Sequence, residues 1–137
     1  MRGRLRRLRL AAAGSGERGS ASVQMVILMP VLFSVMFLGL QAALFYHART
    51  VAVAAAQEGA RAAGRETGTA SDGIAAATSF VAAAGGPDVL QNASVSGTRS
   101  ATEASVAVRG AALSVIPGWF PIVEQSATVP VERITSG

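Results

Sequence analysis

The sequence contains no cysteine and no lysine, because all 12 of its basic residues are arginine. Disulfide bonds and thiolate metal sites are therefore excluded, and so is Schiff-base chemistry on a lysine. His47 is the only histidine, the acidic residues form no paired-carboxylate pattern, and no Walker or dinucleotide-binding fingerprint is present. We therefore expect a protein that is not an enzyme, with no catalytic residue, no metal ligand, no cofactor and no small-molecule substrate.

Aromatic residues are also scarce, at 5% of a chain that is 50% hydrophobic. Alanine supplies much of the apolar fraction, and each buried alanine removes little surface from water. The 137 residues are enough for one small domain, whose core would be thin. A small exterior domain without disulfides has to be held by close packing, by a partner or by a membrane anchor.

Positive charge is concentrated before the hydrophobic stretch of the chain. Six arginines and one glutamate give residues 1–18 a charge of +5, whereas the six arginines and seven acids that follow give −1. No charged residue occurs at residues 19–46, and the apolar run at residues 23–46 is long enough for a membrane-spanning helix, which needs about 20 residues. Since the arginines fit a topology signal or a contact with anionic lipid, we expect no nucleic-acid partner.

The charge asymmetry also predicts the orientation of the chain. By the positive-inside rule, residues 1–19 form a basic cytoplasmic leader and residues 20–46 a single transmembrane helix of the cell membrane, with the carboxyl terminus extracytoplasmic. Phe45 and Tyr46 resemble an aromatic belt at the exit from the membrane. The alternative is a cleaved secretory signal, processed near Ala42 or Ala43, although its apolar region usually has only about 7–15 residues.

Two features inside the span suggest contacts with other helices. Pro30 removes one backbone hydrogen bond and predicts a kink, which neighbouring helices can accommodate. Gly39 and Ala43 are four residues apart, so they form a patch of small residues where another helix could approach closely. The simpler interpretation is that small residues are common throughout this chain.

The alanine-rich residues 47–68 predict a continuation of the helix beyond the membrane, ending at Gly68. One helical face carries Glu58 and Arg61, and another carries small residues. This second face consists of Ala52, Ala56, Gly59 or Ala60, and Ala63. A second helix is predicted from Ser71 or Asp72 to Ala84, with Asp72 as its cap.

The remaining residues favour β-structure. Candidate strands are residues 89–95, 104–109 and 127–131, and Pro130 places the last of them at an edge. We therefore predict an α+β fold with a long amino-terminal transmembrane helix that extends outside the membrane and a short second helix. A small antiparallel β region completes it, so that residues 69–137 form a small extracytoplasmic α+β region.

Residues 110–123 carry no charge. Pro117-Gly118 marks a turn there, and Trp119 and Phe120 follow it. These aromatic side chains are costly to leave in water. They could pack on the helix of their own domain, enter the membrane interface or form a contact tip for a partner.

Two motifs together resemble the TadE-like family of the tight-adherence (Flp-type) pilus assembly system. The stretch ERGSASVQ at residues 17–24 precedes the apolar run with its proline, and AAQEGARAA occupies residues 55–63. The family has an Arg-Gly-small-Ala-x-Val-Glu start, a membrane helix, an Ala-x-x-Gly-Ala-Arg-like motif and a small β-containing exterior. The resemblance covers residues 17–63, and the tail at residues 104–133 is only broadly similar.

This resemblance implies a minor pilin-like, or pseudopilin, protein whose partners are the membrane and other pilus-assembly proteins or pilin-like subunits. A prepilin peptidase would cut between Gly19 and Ser20, leaving Ser20 as the new amino terminus. The family usually has glutamate at the fifth mature position, where this chain has Gln24, which can form hydrogen bonds but cannot neutralise a charge. Assembly through the helix would involve seven residues, Gln24, Pro30, Gly39, Ala43, Glu58, Gly59 and Arg61.

The alternative to a pilin-like role is a generic single-span membrane-anchored or secreted module that binds some exterior partner. Processing at Ala42 or Ala43 would favour this alternative. Processing at Ser20 would favour the pilin-like role.

Overall fold

The computed structural model describes residues 2–135, and within the first helix it describes side chains from Arg18 onward. The chain divides into two compact units, Met1–Gly39 and Leu40–Gly137. Helix α1, Arg2–Gly64, contributes residues to both of them.

The described part of the first unit is an apolar helix with exposed side chains. Val26 and Leu32 are 73% and 65% exposed. The helix continues through Pro30, and the Ser34 hydroxyl donates a hydrogen bond of 2.7 Å to the Pro30 carbonyl. A helix covered with exposed apolar side chains suits lipid as its solvent. Within residues 18–135 this helix alone is long and apolar enough to cross a membrane, with a mean hydropathy of 2.3 over its most apolar window, which suggests a single-pass anchor.

The second unit combines the end of α1 with a second helix and a three-stranded sheet. The further elements are α2 at Ala70–Ala83, a short 3-10 helix at Gly86–Asp88, β1 at Leu90–Arg99, β2 at Glu103–Ala112 and β3 at Ile122–Pro130. The strands pair antiparallel in chain order, with β2 in the centre. These elements confirm the predicted α+β fold, and they place Pro130 on an edge strand.

The sheet buries one of its two faces. Along β2 the side chains of Ala104, Val106 and Val108 are buried, whereas Arg109 is exposed, as alternation along a strand requires. Val123 of β3 pairs with Gly110 and lies on the same buried face. The opposite face is rich in small hydroxyl side chains, contributed by Ser94, Ser96, Thr98, Ser105, Ser126 and Thr128.

Helices α1 and α2 cover the buried face of the sheet. Ala48, Ala52 and Ala55 of α1 are fully buried in one cluster with Val106 and Val108. Because alanine is small, the axis of α1 can lie close to the sheet, and packing at short distance replaces large side chains as the source of stability. The small-residue face predicted from the sequence is buried throughout, at Ala52, Ala56, Gly59, Ala60 and Ala63.

Helix α1 ends at Gly64, four residues before the predicted end at Gly68. The guanidinium of Arg99, at the end of β1, donates hydrogen bonds to backbone carbonyls of the last turn and of the residues just beyond it. The acceptors are the carbonyls of Ala63, Arg65 and Glu66. An arginine at this position satisfies carbonyls that have no intrahelical partner and suits the negative end of the helix dipole.

Helix α2 begins at Ala70 rather than at Ser71 or Asp72, because Thr69 is the cap. The Thr69 hydroxyl accepts a bond of 3.1 Å from the Asp72 backbone N–H, and the Asp72 carboxylate accepts one of 2.8 Å from the Thr69 N–H. Asp72 is thus the third residue of the helix, which completes a capping box with Thr69, and not the cap itself. The helix ends at Ala83, one residue before the predicted Ala84, and Gly85 follows with φ +123°.

The strands are longer than the candidate segments because glycine and serine interrupt the apolar alternation without interrupting the pairing. Gly97 lies inside β1 where the sheet meets α2, and a Cβ there would lie 3.1 Å from the Ala70 carbonyl oxygen. β3 begins at Ile122, ahead of the predicted residue 127, and stops at Pro130, so that Val131 lies outside it. Pairing with β2, which continues from Ile122 to Pro130, explains the boundaries of β3 better than strand propensity does.

The capping box gives α2 a predictable response to acid. Hydrogen bonds from the Thr69 hydroxyl and backbone lower the pKa of Asp72 below its ordinary value. The ionised carboxylate therefore stabilises the fold above the ordinary aspartate pKa of about 3.9, and this contribution is lost as pH falls through the lower folded pKa. In thermal melts of the detergent-solubilised protein, we expect Asp72→Asn to weaken the loss of stability on acidification. Identical pH dependence in both proteins would contradict this assignment.

Candidate functional site

The candidate cleavage bond lies on the exposed amino-terminal part of α1. Gly19 and Ser20 are both exposed and helical. Among residues 18–135, no atom outside the helix's own backbone would lie within 4 Å of a Cβ built on Gly19. The Ser22 hydroxyl donates a hydrogen bond of 3.1 Å to the Arg18 carbonyl, one helical turn earlier. A protease that binds its substrate in extended form would therefore have to unwind this turn.

The predicted assembly residues of the apolar run are uncovered. Gln24 and Pro30 are exposed, and a Cβ on Gly39 would find open space. Ala43, in the second unit, is exposed as well. Each of these residues is therefore available to lipid or to another helix.

The second motif divides into a solvated ion pair and a packed glycine. Arg61 and Glu58 approach to 4.0 Å with side chains that are 69% and 45% exposed, so their attraction contributes little. Gly59, by contrast, is buried: a Cβ there would lie 2.7 Å from the Gly73 carbonyl oxygen and 2.9 Å from Val106 Cγ1. The structure thus places Gly59 against α2 and β2 of its own chain.

Gln41 is a functional candidate that the sequence prediction missed. It is 3% exposed and is the one buried polar residue among those whose side chains are described. Its amide Nε2 donates a hydrogen bond of 3.2 Å to the Leu113 carbonyl. Its Oε1 accepts two hydrogen bonds, one of 3.1 Å from the Ser114 hydroxyl and one of 2.8 Å from the Val115 N–H. The signal was present in the sequence, because a strongly polar residue in an apolar run is costly unless it finds partners.

The residues fastened by Gln41 begin the loop between β2 and β3, which we call the 113–121 loop. Its aromatic residues do not enter the core: Trp119 is 49% exposed and Phe120 is 60% exposed. Ile122, the first residue of β3, follows them closely in the sequence and is 54% exposed. The loop is therefore an apolar surface attached at one end to α1 by a buried amide.

Concave surfaces in the described residues offer little chemistry. A depression of about 640 Å³ lies between α2 and β1, and its lining includes Val81, Pro87 and Asn92 but no charged residue. Residues 18–135 contain no group of three or more histidine, aspartate or glutamate side chains that could hold a metal ion. The features with a definable geometry are thus the exposed helix, its candidate cleavage bond and the fastened loop.

Comparison with known proteins finds a family model that matches part of this chain. The family model described as "TadE-like protein" matches residues 19–61, which contain the candidate cleavage bond, the apolar run and most of the second motif. Comparison with curated proteins found no match, and comparison with solved structures found none either. The resemblance to the TadE-like family is confirmed for residues 19–61, and the chain carries a TadE-like region from Gly19 to Arg61.

Proposed function

We propose that this chain is a minor pilin-like, or pseudopilin, membrane protein that takes part in assembling a tight-adherence (Flp-type) pilus or a related secretion machine, without catalysing a reaction. The observation that carries the proposal is the TadE-like match, which begins at the candidate peptidase glycine and covers the exposed apolar helix. The family match suggests a pilus-related function. The role of a pseudopilin is our inference from the helix and its surroundings.

The proposed topology follows from charge. The six arginines that precede the apolar run favour the cytoplasmic side, and the packed sheet would then lie outside the cytoplasm. A membrane peptidase on the cytoplasmic side would release the basic leader between Gly19 and Ser20. The exposed position of this bond supports access, and the small residues around it suit a narrow cleft.

The proposed partners are other pilin-like subunits or pilus-assembly membrane proteins, which would contact the uncovered apolar helix. Pro30 and Gly39 provide places where a neighbouring backbone could come close. Gln24 would meet the neighbour's amino terminus as a hydrogen-bonding group without charge. A pairing that depends on Gln24 is therefore weaker than one made by a carboxylate.

Gln41 bears on the alternative of a secreted module. Cleavage after Ala42 or Ala43 would separate Gln41 from the exterior and leave the Val115 N–H without its partner at 2.8 Å. Leaving a fully buried donor unpaired costs about 1–3 kcal/mol, and the partly buried Val115 N–H would lose less than that. The structure thus provides a physical argument for keeping residue 41 joined to the sheet.

The experiment that tests the proposal is the intact mass and amino-terminal sequence of the protein recovered from its native membrane. We expect a mature form that begins at Ser20. A chain that retains residues 1–19 would identify a permanently anchored accessory protein. A chain that begins at residue 43 or 44 would contradict the pilin-like role and support a secreted module.

A further inference from the structure

We propose that the 113–121 loop is a second membrane contact, which places Trp119 and Phe120 in the interfacial layer of the same bilayer that α1 spans. This inference concerns a surface outside the TadE-like match and does not depend on the pilus role. It requires only that the apolar run of α1 lies in a membrane. The occupant of the exposed loop surface is then lipid.

The first argument is the level at which the loop is fastened. Gln41 lies inside the uncharged run, five residues before Tyr46, a distance of about 7.5 Å along a helix. The bonds from its amide hold Leu113 and Val115 at that level of α1. The polar layer on each side of the hydrocarbon is about 5–8 Å thick. With Tyr46 placed at the outer part of this layer, which tyrosine favours, the attachment point lies near the outer boundary of the hydrocarbon.

The second argument is the short reach from the attachment point to the aromatic residues. Trp119 follows Val115 by four residues, which span at most about 14 Å when fully extended. The chain turns back between Ile116 and Trp119, because the Trp119 N–H donates a hydrogen bond of 3.3 Å to the Ile116 carbonyl. Trp119 is therefore confined to the neighbourhood of the bilayer boundary.

The third argument is the chemistry of the exposed surface. Residues 110–123 carry no charge, and Trp119, Phe120 and Ile122 are all about half exposed or more. On α1, Phe45 and Tyr46 are exposed at the corresponding end of the apolar run, and Arg49 begins the charged sequence beyond it. Tryptophan and tyrosine are the residues that favour the membrane–water interface, because one end of the side chain is apolar and the other polar.

The fourth argument is the loop backbone, since lipid contact requires polar groups to find partners within the protein. Pro117 and Pro121 have no N–H to satisfy. The Ile116 N–H donates a hydrogen bond of 3.1 Å to the Ser114 hydroxyl, and that hydroxyl donates one to Gln41 Oε1. The loop closes with a bond of 2.9 Å from the Ala112 N–H to the Pro121 carbonyl. These bonds give several of the loop's backbone groups partners within the protein, which suits a segment that rests in the interface.

Trp119 is the only tryptophan of the sequence, so fluorescence of the full chain tests the proposal directly. The probe is the unmodified protein in phosphatidylcholine vesicles that contain lipids brominated either near the headgroup or near the chain end. We expect strong quenching by the shallow bromines, weaker quenching by the deep ones and little quenching by iodide in the water. Ready quenching by iodide without quenching by bromolipid would overturn the proposal. Shielding from both quenchers would also overturn it, because protein would then cover the loop.

A pair of matched variants tests the part played by Gln41. Gln41→Leu and Gln24→Leu make the same change at the two glutamines of the apolar run, but only Gln41 bonds to the loop. We expect Gln41→Leu to increase iodide access to Trp119 and decrease shallow bromolipid quenching, and Gln24→Leu to leave both unchanged. Equal quenching profiles in a folded Gln41→Leu protein would refute the fastening. If Gln41→Leu fails to fold, as judged by circular dichroism, the quenching of the unmodified protein decides the proposal.

Discussion

Replacing Gly59 with leucine is expected to abolish the folded state of the unit that contains the sheet. A Cβ at this position would lie within 3.0 Å of three atoms, the Gly73 carbonyl oxygen, Ala77 Cβ and Val106 Cγ1. The first of these belongs to the backbone of α2 and cannot rotate away. Overpacking a close contact typically costs about 1–3 kcal/mol, and a leucine adds three more carbon atoms to a site that has no room for the first.

Alanine at position 59 separates the two opposing effects. Glycine inside a helix costs about 0.5–1 kcal/mol relative to alanine, so Gly59→Ala would stabilise α1 if the site were open. Because the Gly73 carbonyl is only 2.7 Å from the position of the added carbon, we expect a net destabilisation instead. The reciprocal contact supports this sign, since a Cβ on Gly73 would lie 2.8 Å from the Gly59 carbonyl oxygen.

Gly39 supplies the matched control in the same helix. A Cβ there meets nothing within 4 Å, so Gly39→Leu should leave the thermal transition of the detergent-solubilised protein unchanged. Gly59→Leu should remove that transition and expose the amides of β2 to hydrogen exchange. A normal transition in Gly59→Leu would show that α1 and α2 are not in close contact.

Two kinds of feature could be predicted from the sequence. In the first, the interacting residues are close together in the sequence, and in the second, the segment is apolar enough to suit lipid. The uncharged run at residues 19–46 stands out because charge in a bilayer is costly, and the small residues of α1 recur with the period of a helix. The valines of β2 alternate and identify its buried face. Each of these signals lies within a window of about 20 residues.

The missed features depend on partners that are distant in the sequence. Arg99 closes the end of α1 across 33 to 36 residues, and Gln41 bonds to the 113–121 loop across 72 to 74 residues. An arginine at the end of a weak strand and a glutamine in an apolar run are each ambiguous alone. Only the folded chain shows that each one supplies hydrogen bonds to backbone groups that would otherwise lack partners.

The glycine motif illustrates how one residue can carry two meanings. In the sequence, Gly59 follows Glu58 in a helix-assembly motif and suggests contact between helices. In the structure the contact is made with α2 of the same chain, so the surface at Gly59 is already covered by that helix. The proposed assembly with other subunits would therefore use other residues, and Gly39 is a glycine of the apolar run whose surroundings are open.

Replacing Gly19 with leucine is expected to eliminate the mature form that begins at Ser20. The reason is steric, since a branched side chain beside the scissile bond would have to enter a cleft that accepts small residues. We expect the fold to tolerate the change, because within residues 18–135 no atom outside the backbone of this helix lies within 4 Å of a Cβ at this position. Loss of processing could not then be attributed to misfolding. The measurement is the intact mass of wild type and variant, each expressed in the native host.

A second substitution distinguishes steric exclusion from resistance of the helix to unwinding. Gly19→Ala strengthens the helix by about 0.5–1 kcal/mol while adding only one carbon, and leucine has a helix propensity close to that of alanine. If the cleft excludes bulk, Gly19→Ala is still processed and Gly19→Leu is not. If unwinding limits cleavage, both variants accumulate the unprocessed chain to a similar degree. Full processing of Gly19→Leu at Ser20 would refute the assignment to a peptidase that requires a small residue at position 19. Gly39→Leu, in the same helix but distant from the cleavage bond, is the control and should be processed like the wild type.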